Sequence, residues 1–397
     1  MTREITPVLA ELPATEFRTR LRAFLVEHHP GRGPKEPGAR LAWQKAWLAT
    51  LFDAGFAGPG WPREFGGMDL PFGLQVIYHE EIAAARVPGP LGSGLNIVGP
   101  TLIRYGTPEQ KQRWLRPMLR GEQIWAQGFS EPGAGSDLPS LRTSARLDEA
   151  AGEYVVSGQK VWTTHATQAD MIYVLVRTGT LESRQRGISY LLTDIHAPGI
   201  TVRPLRDLTG GASFAEVFFD EVRVPVDQRI GEENGGWRLV RTSLGHERAA
   251  LALNQAAFYR RVLDDLTRLA RSLGLLADPL VQDRFTLLEI RVRLMRYNAI
   301  RTVDTIMTTG EPGAAASVSR LIITRFEQEI HEVALDLLGP AGLVERGDPE
   351  AVENGRWLYG FLRTRASTIG AGTAEIQRNT LAEQVLGLPH DVGMPAR

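Results

Sequence analysis

The sequence contains no cysteine among its 397 residues. This absence excludes disulfides, thiolate metal sites, iron–sulfur clusters and a cysteine nucleophile. A charge excess of either sign is also lacking, because the formal net charge is -1, so no global field attracts nucleic acid or an anionic membrane. No apolar run reaches the length of about 18 residues that a membrane-spanning helix needs.

Other signals are missing too. Arginine and glutamate interrupt the first 25 residues, so no signal peptide is predicted and we expect a cytoplasmic protein. The histidines lack metal-ligand spacing, so no metal site is expected. A Walker loop and a Gly-x-Ser-x-Gly elbow are absent from the sequence. What remains, 43% hydrophobic and 23% charged residues, is typical of a soluble globular protein with two or three domains.

Residues 1–124 carry apolar residues at helical spacing, which predicts an N-terminal helical domain. Thr107-Pro108-Glu109-Gln110 is a helix start, with a threonine cap, proline at the first helical position and glutamine at the capping-box position. The predicted helices are Ala14 to Glu27, Leu41 to Ala54, Leu74 to Ala85, and a helix that starts at Pro108 and ends near Leu119.

Residues 125–235 alternate in polarity between glycine and aspartate turns, which predicts a middle domain built as a small antiparallel barrel or sandwich. Its predicted strands are Tyr154 to Ser157, Gln159 to Trp162, Met171 to Val176, Ile188 to Leu192 and Glu216 to Phe219. Residues 236–397 return to helical spacing and predict a C-terminal bundle of the four-helix type. Its predicted helices are Trp237 to Ser272, Leu280 to Thr309, Ala314 to Leu338, Ala351 to Thr368 and Thr373 to Leu386. The fold class is therefore α+β.

Two segments between Trp125 and Thr164 stand out. Residues 125–137 read WAQGFSEPGAGSD. The glycines let the backbone approach a ligand, and the N–H groups with the Ser130 and Ser136 hydroxyls suit a phosphate or the polar edge of a ring. Residues 160–164 read KVWTT and place a large aromatic beside two hydroxyls on a strand. Each segment alone is typical of an ordinary turn or a core strand.

Together, in this order and spacing, the two segments resemble the signature of the acyl-CoA dehydrogenase flavoproteins, roughly Glu-Pro-x-Ala-Gly-Ser-Asp and then Trp-x-Thr. The resemblance extends over nearly the whole chain and implies the same order of helical domain, β domain and helical bundle. It further implies FAD as cofactor. The implied reaction removes a proton from the carbon α to a thioester and transfers a hydride from the β carbon to flavin N5.

One carboxylate on the first predicted bundle helix has an unusual position. At 100° per residue, Glu247 falls within an apolar stripe made by Val240, Leu244, Leu251 and Phe258. Desolvation there would raise its pKa, as a general base working near neutral pH requires. The residues alone favour another interpretation, a glutamate at the edge of the stripe that is paired with Arg248 or with a basic residue elsewhere.

The resemblance bears on this choice. Many members of the family carry their base as the glutamate of a C-terminal Tyr-Glu-Gly-Thr motif, and the matching position here is Ala371, followed by Gly372 and Thr373. A smaller group, similar to isovaleryl-CoA dehydrogenase, places the base on the first bundle helix directly before an arginine, as in Glu247-Arg248. The resemblance therefore implies Glu247 as the catalytic base, with Arg248, Ala371 and Gly372 near the substrate.

Further roles follow from the resemblance. Trp162 would pack on the isoalloxazine, Thr164 would hydrogen-bond near N5, and Ser136 would meet a phosphate or pantetheine group of the substrate. The backbone N–H of Ala371 and a ribityl hydroxyl would polarise the thioester oxygen. The implied cofactor-binding residues are Gln127, Phe129, Ser130, Ser136, Trp162, Thr163, Thr164, Thr373 and Glu375.

The chain departs from the family in the part that clamps FAD from a neighbouring subunit. Homotetrameric members supply an Arg-x-Phe-Gly stretch and a Gln-x-x-Gly-Gly-x-Gly stretch. Leu280 to Thr286 lacks the glycine and spacing of the first. In the second, Asp336 replaces the glutamine and would repel a pyrophosphate, and Pro340 removes a backbone donor. We expect either a hetero-oligomer with a second related subunit, as in bacterial relatives acting on steroid side chains, or a homo-oligomer with a rearranged clamp.

Two other functions remain open on the same fold: a flavin oxidase or monooxygenase, and a non-catalytic partner subunit of a dehydrogenase. Glu247, Trp162 and Thr164 occurring together argue against the second. The expected substrate is an acyl-CoA or an acyl carrier protein thioester, and the small residues 370–372 leave room for a branched or ring-bearing acyl group. The expected oxidant is an electron-transfer flavoprotein, and the expected assembly is a tetramer or dimer.

Overall fold

The computed structural model describes residues 9–309, 313 and 317–389, with the side chains of 241–254, 303, 306 and 307 set aside. The chain forms two compact units, Met1–Glu247 and Arg248–Arg397. Helices precede an eight-stranded sheet and helices follow it, which confirms the predicted α+β class. Within the described range, no helix combines the length and the apolar character needed to cross a membrane.

The first unit begins with five helices, and one of them shows how closely local sequence sets their limits. The Thr107 hydroxyl accepts from the Gln110 N–H at 3.3 Å, and the Gln110 side chain accepts from the Thr107 N–H at 3.1 Å, so the predicted capping box is present. Gly121, at φ +79°, ends the same helix because glycine adopts the left-handed turn without strain. The helices are α1 (Ala14–Glu27), α2 (Pro37–Asp53), α3 (Phe72–Ala85), α4 (Gly99–Tyr105) and α5 (Pro108–Arg120).

The sheet of the first unit is mixed. Its order is β6-β7-β3-β2-β4-β5-β8, and β1 pairs with β4 in parallel, so the expected antiparallel domain contains parallel pairing as well. The strands are β1 (Trp125–Gly128), β2 (Ser144–Asp148), β3 (Glu153–Thr164), β4 (Met171–Arg177), β5 (Ile188–Asp194), β6 (Ile200–Leu205), β7 (Phe214–Pro225) and β8 (Arg229–Ile230). The structure joins two of the predicted strands, Tyr154 to Ser157 and Gln159 to Trp162, into the single strand β3.

Strands β4 and β5 are buried on both faces. Tyr173 and Tyr190 point into a core shared with the N-terminal helices, which includes Trp114, whereas Ile172 and Leu191 point into the core of the β domain. This double burial explains the nearly continuous apolar sequence of both strands. It also fixes the end of β1, and hence the loop that follows it, against a rigid layer.

The second unit contains a helical core. Leu266 of the first helix, Leu288 of the second, Phe326 of the third and Trp357 of the fourth are all buried in it. The helices of this region are α6 (Gly236–Ser272), α7 (Pro279–Thr309), α8 (Ser317–Leu338), α9 (Arg356–Thr364) and α10 (Ala374–Gln384). Helix α9 is shorter than predicted because left-handed residues Glu353 and Asn354 precede it and turns follow it.

Candidate active site

The loop after β1 starts from the core and turns to the surface. The Phe129 side chain is buried and meets the Tyr173 and Tyr190 rings edge-on, at centroid distances of 5.5 and 6.0 Å. The structure therefore gives the Phe129 ring a packing role, and a flavin contact by this residue would come from its main chain. Gln127 and Ser130 are half-buried, and Ser136 lies exposed further along the loop.

A buried ion pair fixes the start of this loop. The Lys160 Nζ lies 2.7 Å from the Glu131 Oε1 and donates to the Phe129 carbonyl at 3.1 Å. The Glu131 carboxylate also accepts from the N–H groups of Arg142 and Thr143, at 2.7 and 2.9 Å. Glu131 thus ties the two ends of the loop together, and Lys160 ties both to β3.

The charges of the pair are balanced in a low-dielectric site. Burial opposes ionisation of Glu131, but the Lys160 charge and the hydrogen bonds outweigh it and lower the pKa of the carboxyl. Burial lowers the pKa of Lys160 to about 8, against the opposing effect of Glu131. Both side chains are therefore ionised at neutral pH, and the pair serves to hold the loop.

A second buried cation holds the far end of the loop. The Arg177 guanidinium donates to the carbonyls of Pro139 and Leu141, with Nη2 distances of 2.6 and 3.3 Å. Its own N–H donates to the Thr143 carbonyl at 2.7 Å. Burial lowers the pKa of Arg177. Sequence reasoning missed Arg177, Lys160 and Glu131 as loop anchors, although two of them lie inside the quoted motifs.

The two signature segments meet at one hydrogen bond. The register between β3 and β7 shifts between Lys160 and Thr163, and at this irregularity the Val161 N–H donates to the Ser130 carbonyl at 2.9 Å. The following residue, Trp162, has φ +60°. Its side chain is 62% exposed and meets Phe214 edge-on at 6.0 Å.

The two threonines after Trp162 differ in environment. The Thr163 side chain is fully buried, and among the described residues its hydroxyl has no hydrogen-bond partner. Thr164 is exposed, as is Trp162. Only the Thr164 hydroxyl is therefore open to a bound cofactor, and any contact by Thr163 would come from its main chain.

Ala371 matches the position at which many family members carry their glutamate base. It lies in the second unit, in the turn between α9 and α10. Ala371 has φ +53° and Gly372 has φ +88°. The Thr373 hydroxyl caps α10 by accepting from the Ile376 N–H at 3.2 Å. Glu375 is exposed, and hydrogen bonds from its own N–H and the Thr373 hydroxyl lower its pKa. Both residues thus stabilise a helix start, and their contact with FAD stays a prediction.

Glu247 and Arg248 lie on α6, and their side chains are outside the described residues. One member of the expected apolar stripe, Val240, is buried, whereas another, Phe258, is 46% exposed. The prediction of a buried apolar stripe is therefore wrong at Phe258. The buried aromatic at that end is the next residue, Tyr259. The base assignment stays a prediction that depends on the resemblance.

The clamp positions of the second unit differ from expectation in two ways. Asp336 lies 2.7 Å from Arg284, from Oδ2 to Nη2, so its negative charge is compensated. Arg271-Ser272-Leu273-Gly274 matches the family's first stretch better than Leu280 to Thr286, with leucine in place of phenylalanine. It lies at the end of α6, where Gly274 adopts φ +73°. Pro340 remains a position without a backbone donor.

Three sequence profiles cover this chain. The acyl-CoA dehydrogenase N-terminal, middle and C-terminal domain profiles match residues 14–122, 126–222 and 234–386. The chain belongs to the acyl-CoA dehydrogenase family. It is an FAD-dependent enzyme of the acyl-CoA dehydrogenase type.

Relatives of this acyl-CoA dehydrogenase include a protein of known structure that is described as a steroid ACAD. The chain is 38% identical to acyl-CoA dehydrogenase IpdE1 of Mycobacterium tuberculosis, over 95% of this chain and 98% of that protein. The Tcur3481-Tcur3483 steroid ACAD structure matches with a TM-score of 0.83 and 30% identity, covering 96% and 100% of the two chains. The ChsE4-ChsE5 complex from Mycobacterium tuberculosis matches with a TM-score of 0.81 and 30% identity, covering 98% and 100%.

Proposed function

We propose that this enzyme converts an acyl-CoA to the trans-2-enoyl-CoA, with Glu247 removing the α proton. The observation that carries the flavin half of the proposal is Trp162, a large aromatic that is 62% exposed on left-handed backbone. Strained backbone that presents an apolar ring to solvent points to a ligand site rather than to core packing. FAD, when bound, accepts the β hydride.

The residues of the chain divide the remaining work. Ala371 replaces the glutamate that acts as base in many members, so the proton must go elsewhere, and Glu247 before Arg248 matches the alternative position. The Ala371 N–H would donate to the thioester oxygen, which stabilises the developing enolate charge and acidifies the α proton. Ser136, exposed on its anchored loop, would meet the phosphate or pantetheine part of CoA.

The proposed substrate class is a CoA thioester with a ring-bearing acyl group. Residues 370–372 are glycine and alanine, which leave space beside the reacting carbons. The relatives named as steroid dehydrogenases point in the same direction. A straight-chain acyl-CoA would fill such a space poorly and therefore react more slowly.

We also propose that the enzyme acts with a second, related subunit. Helix α7 exposes an apolar seam at alternating spacings of three and four residues, the pattern that pairs helices. Its members are Leu287, Ile290, Leu294 and Tyr297, with Leu280 one heptad before them. Pro340 and Asp336 leave this chain short of donors for the ADP half of FAD. The partner would supply them, by analogy with the ChsE4-ChsE5 complex, in which two chains assemble.

The experiment that tests the activity is anaerobic bleaching of the bound flavin by straight, branched and steroid side-chain acyl-CoAs. It uses wild type, Glu247→Gln and a control, Glu289→Gln, which alters a carboxylate paired with Arg293 on α7 and with Arg260 on α6. Wild type and Glu289→Gln should bleach, and Glu247→Gln should bind substrate without bleaching. Equal bleaching by Glu247→Gln would refute the base assignment, and peroxide formation in air would identify an oxidase instead.

The partner proposal has its own test. The chain is expressed alone and together with a related chain encoded beside it, and FAD content is measured on each purified sample. FAD only in the co-expressed sample supports the second subunit. Stoichiometric FAD and turnover in the chain expressed alone would exclude it.

A further inference from the structure

Helix α9 ends at Thr364, and the turn that follows carries carbonyl groups with no helical N–H partner. Arg320 of α8 meets two of them. Its Nη2 donates to the Ser367 carbonyl at 2.9 Å and to the Gly370 carbonyl at 2.7 Å. One guanidinium therefore fixes both ends of a four-residue segment that stops directly before Ala371.

We propose that Arg320 is a positioning residue that aims the Ala371 N–H at the thioester oxygen, an inference that rests on the proposed function. The Gly370 carbonyl and the Ala371 N–H belong to one planar peptide unit, and in a trans peptide they point in opposite directions. Because Arg320 holds the carbonyl oxygen, the N–H is forced to point away from the guanidinium. Among the described residues, no acceptor meets that N–H.

The conformation of the turn needs such a restraint. Ala371 adopts φ +53°, a conformation that is strained for an L-residue other than glycine. Its side chain is exposed, so packing of its methyl group does not compensate for this strain. Without the Arg320 hydrogen bonds, rotation of the Gly370–Ala371 peptide would relieve the strain and remove the donor from its direction.

Arg320 also strengthens the donor that it positions. A guanidinium bonded to a carbonyl polarises the peptide, because hydrogen bonds in a chain reinforce one another. The partial positive charge on the Ala371 N–H therefore increases. In a reaction that develops negative charge on the thioester oxygen, a stronger and fixed donor lowers the barrier to proton removal.

The test compares Arg320→Met and Arg320→Lys with wild type as FAD-loaded enzyme, with its partner chain if FAD requires one. Arg320→Met should slow flavin reduction by about 10- to 100-fold, with a much smaller change in substrate affinity. The infrared band of a ¹³C-labelled thioester carbonyl should shift less on binding to Arg320→Met than on binding to wild type. Arg320→Lys should keep most of the wild-type rate of flavin reduction and most of the wild-type shift of the carbonyl band.

Two control variants separate positioning from general support. Gln328→Leu removes another tether between α8 and α9, from the Gln328 side chain to the Thr364 carbonyl at 3.2 Å. Arg325→Met removes an exposed cation from the same helix. Neither should change the carbonyl band, and hydrogen exchange of the segment 365–373 should increase most in Arg320→Met.

A normal carbonyl shift and normal reduction rate in Arg320→Met would overturn the proposal, as would equal losses in Arg325→Met. Failure of the proposed function gives a different result. If no acyl-CoA reduces the flavin of wild type, or Glu247→Gln reduces it normally, the activity or the base is wrong. The exchange measurement then still decides whether Arg320 holds the Gly370–Ala371 peptide.

Discussion

The Nζ of Lys160 lies 2.7 Å from the Oε1 of Glu131, and neither side chain is more than 8% exposed. The two residues are 29 positions apart in the sequence, and each belongs to one of the signature segments. Their pairing joins those segments through buried side chains. The hydrogen bond from the Val161 N–H to the Ser130 carbonyl joins the same segments through the backbone. The proposed contact between the exposed Trp162 and the flavin depends on both connections.

Breaking this ion pair should destabilise the first unit strongly. Lys160→Met leaves the Glu131 carboxylate buried without its cation, and loss of one partner of a buried pair costs about 3–5 kcal/mol of unfolding free energy. Urea unfolding followed by circular dichroism measures this. The double variant Glu131→Gln/Lys160→Met should be less destabilised than the sum of its single changes.

An exposed arginine provides the control for that measurement. Arg223 is 56% exposed and pairs with Asp148 and Glu153, so Arg223→Met should change the unfolding free energy by less than about 1 kcal/mol. Lys160→Met no more destabilised than Arg223→Met would show that the buried pair contributes nothing specific.

The same pair predicts a dependence of stability on acid pH. The folded protein holds the pKa of Glu131 below its ordinary value of 4.5. The carboxylate therefore contributes stability above pH 4.5, and this contribution is lost as pH falls through the lower folded pKa. The melting temperatures of wild type and Glu131→Gln should converge below pH 4.5. Parallel curves across that window would contradict the prediction.

Trp162 should matter for FAD and little for folding. Trp162→Gly relieves the φ +60° conformation, by about 1 kcal/mol, and loses an edge-on contact with Phe214 worth a similar amount. The melting temperature of the cofactor-free protein should therefore change little, while FAD affinity measured by fluorescence titration should fall roughly tenfold or more. Trp162→Phe keeps a ring and should keep most of the affinity. A large loss of stability with unchanged FAD binding would assign Trp162 to the core.

Two glycines that flank Ala371 should respond differently to alanine. At Gly372, φ is +88° and an added Cβ would lie 2.5 Å from the Gln377 Nε2, whereas at Gly370 the nearest atom is the Ala366 oxygen at 3.6 Å. Gly372→Ala should therefore raise hydrogen exchange in the turn and slow flavin reduction by about tenfold. Gly370→Ala should leave exchange near wild type. Similar values for the two variants would mean that the turn is not held as described.

Local sequence predicted much of the helical structure. Helix α1 has the predicted limits, and the capping box at Thr107 and Gln110 is present, because caps and helical periodicity depend on residues within a few positions of one another. Strand β2 was not predicted. It is short, only Ala145 of its five residues is buried, and pairing with β3 stabilises it.

The site shows the same division. The sequence alone identified the two signature segments, the alanine at position 371 and the glutamate at position 247, because these are residue identities at matching positions. The tertiary structure decided that the Phe129 ring is buried, that Trp162 is exposed on left-handed backbone, and that Arg320 holds a carbonyl 50 residues away. These contacts join elements that are distant in sequence. Their physical cause is the closure of loops onto a sheet and a helix, which no local pattern of residues encodes.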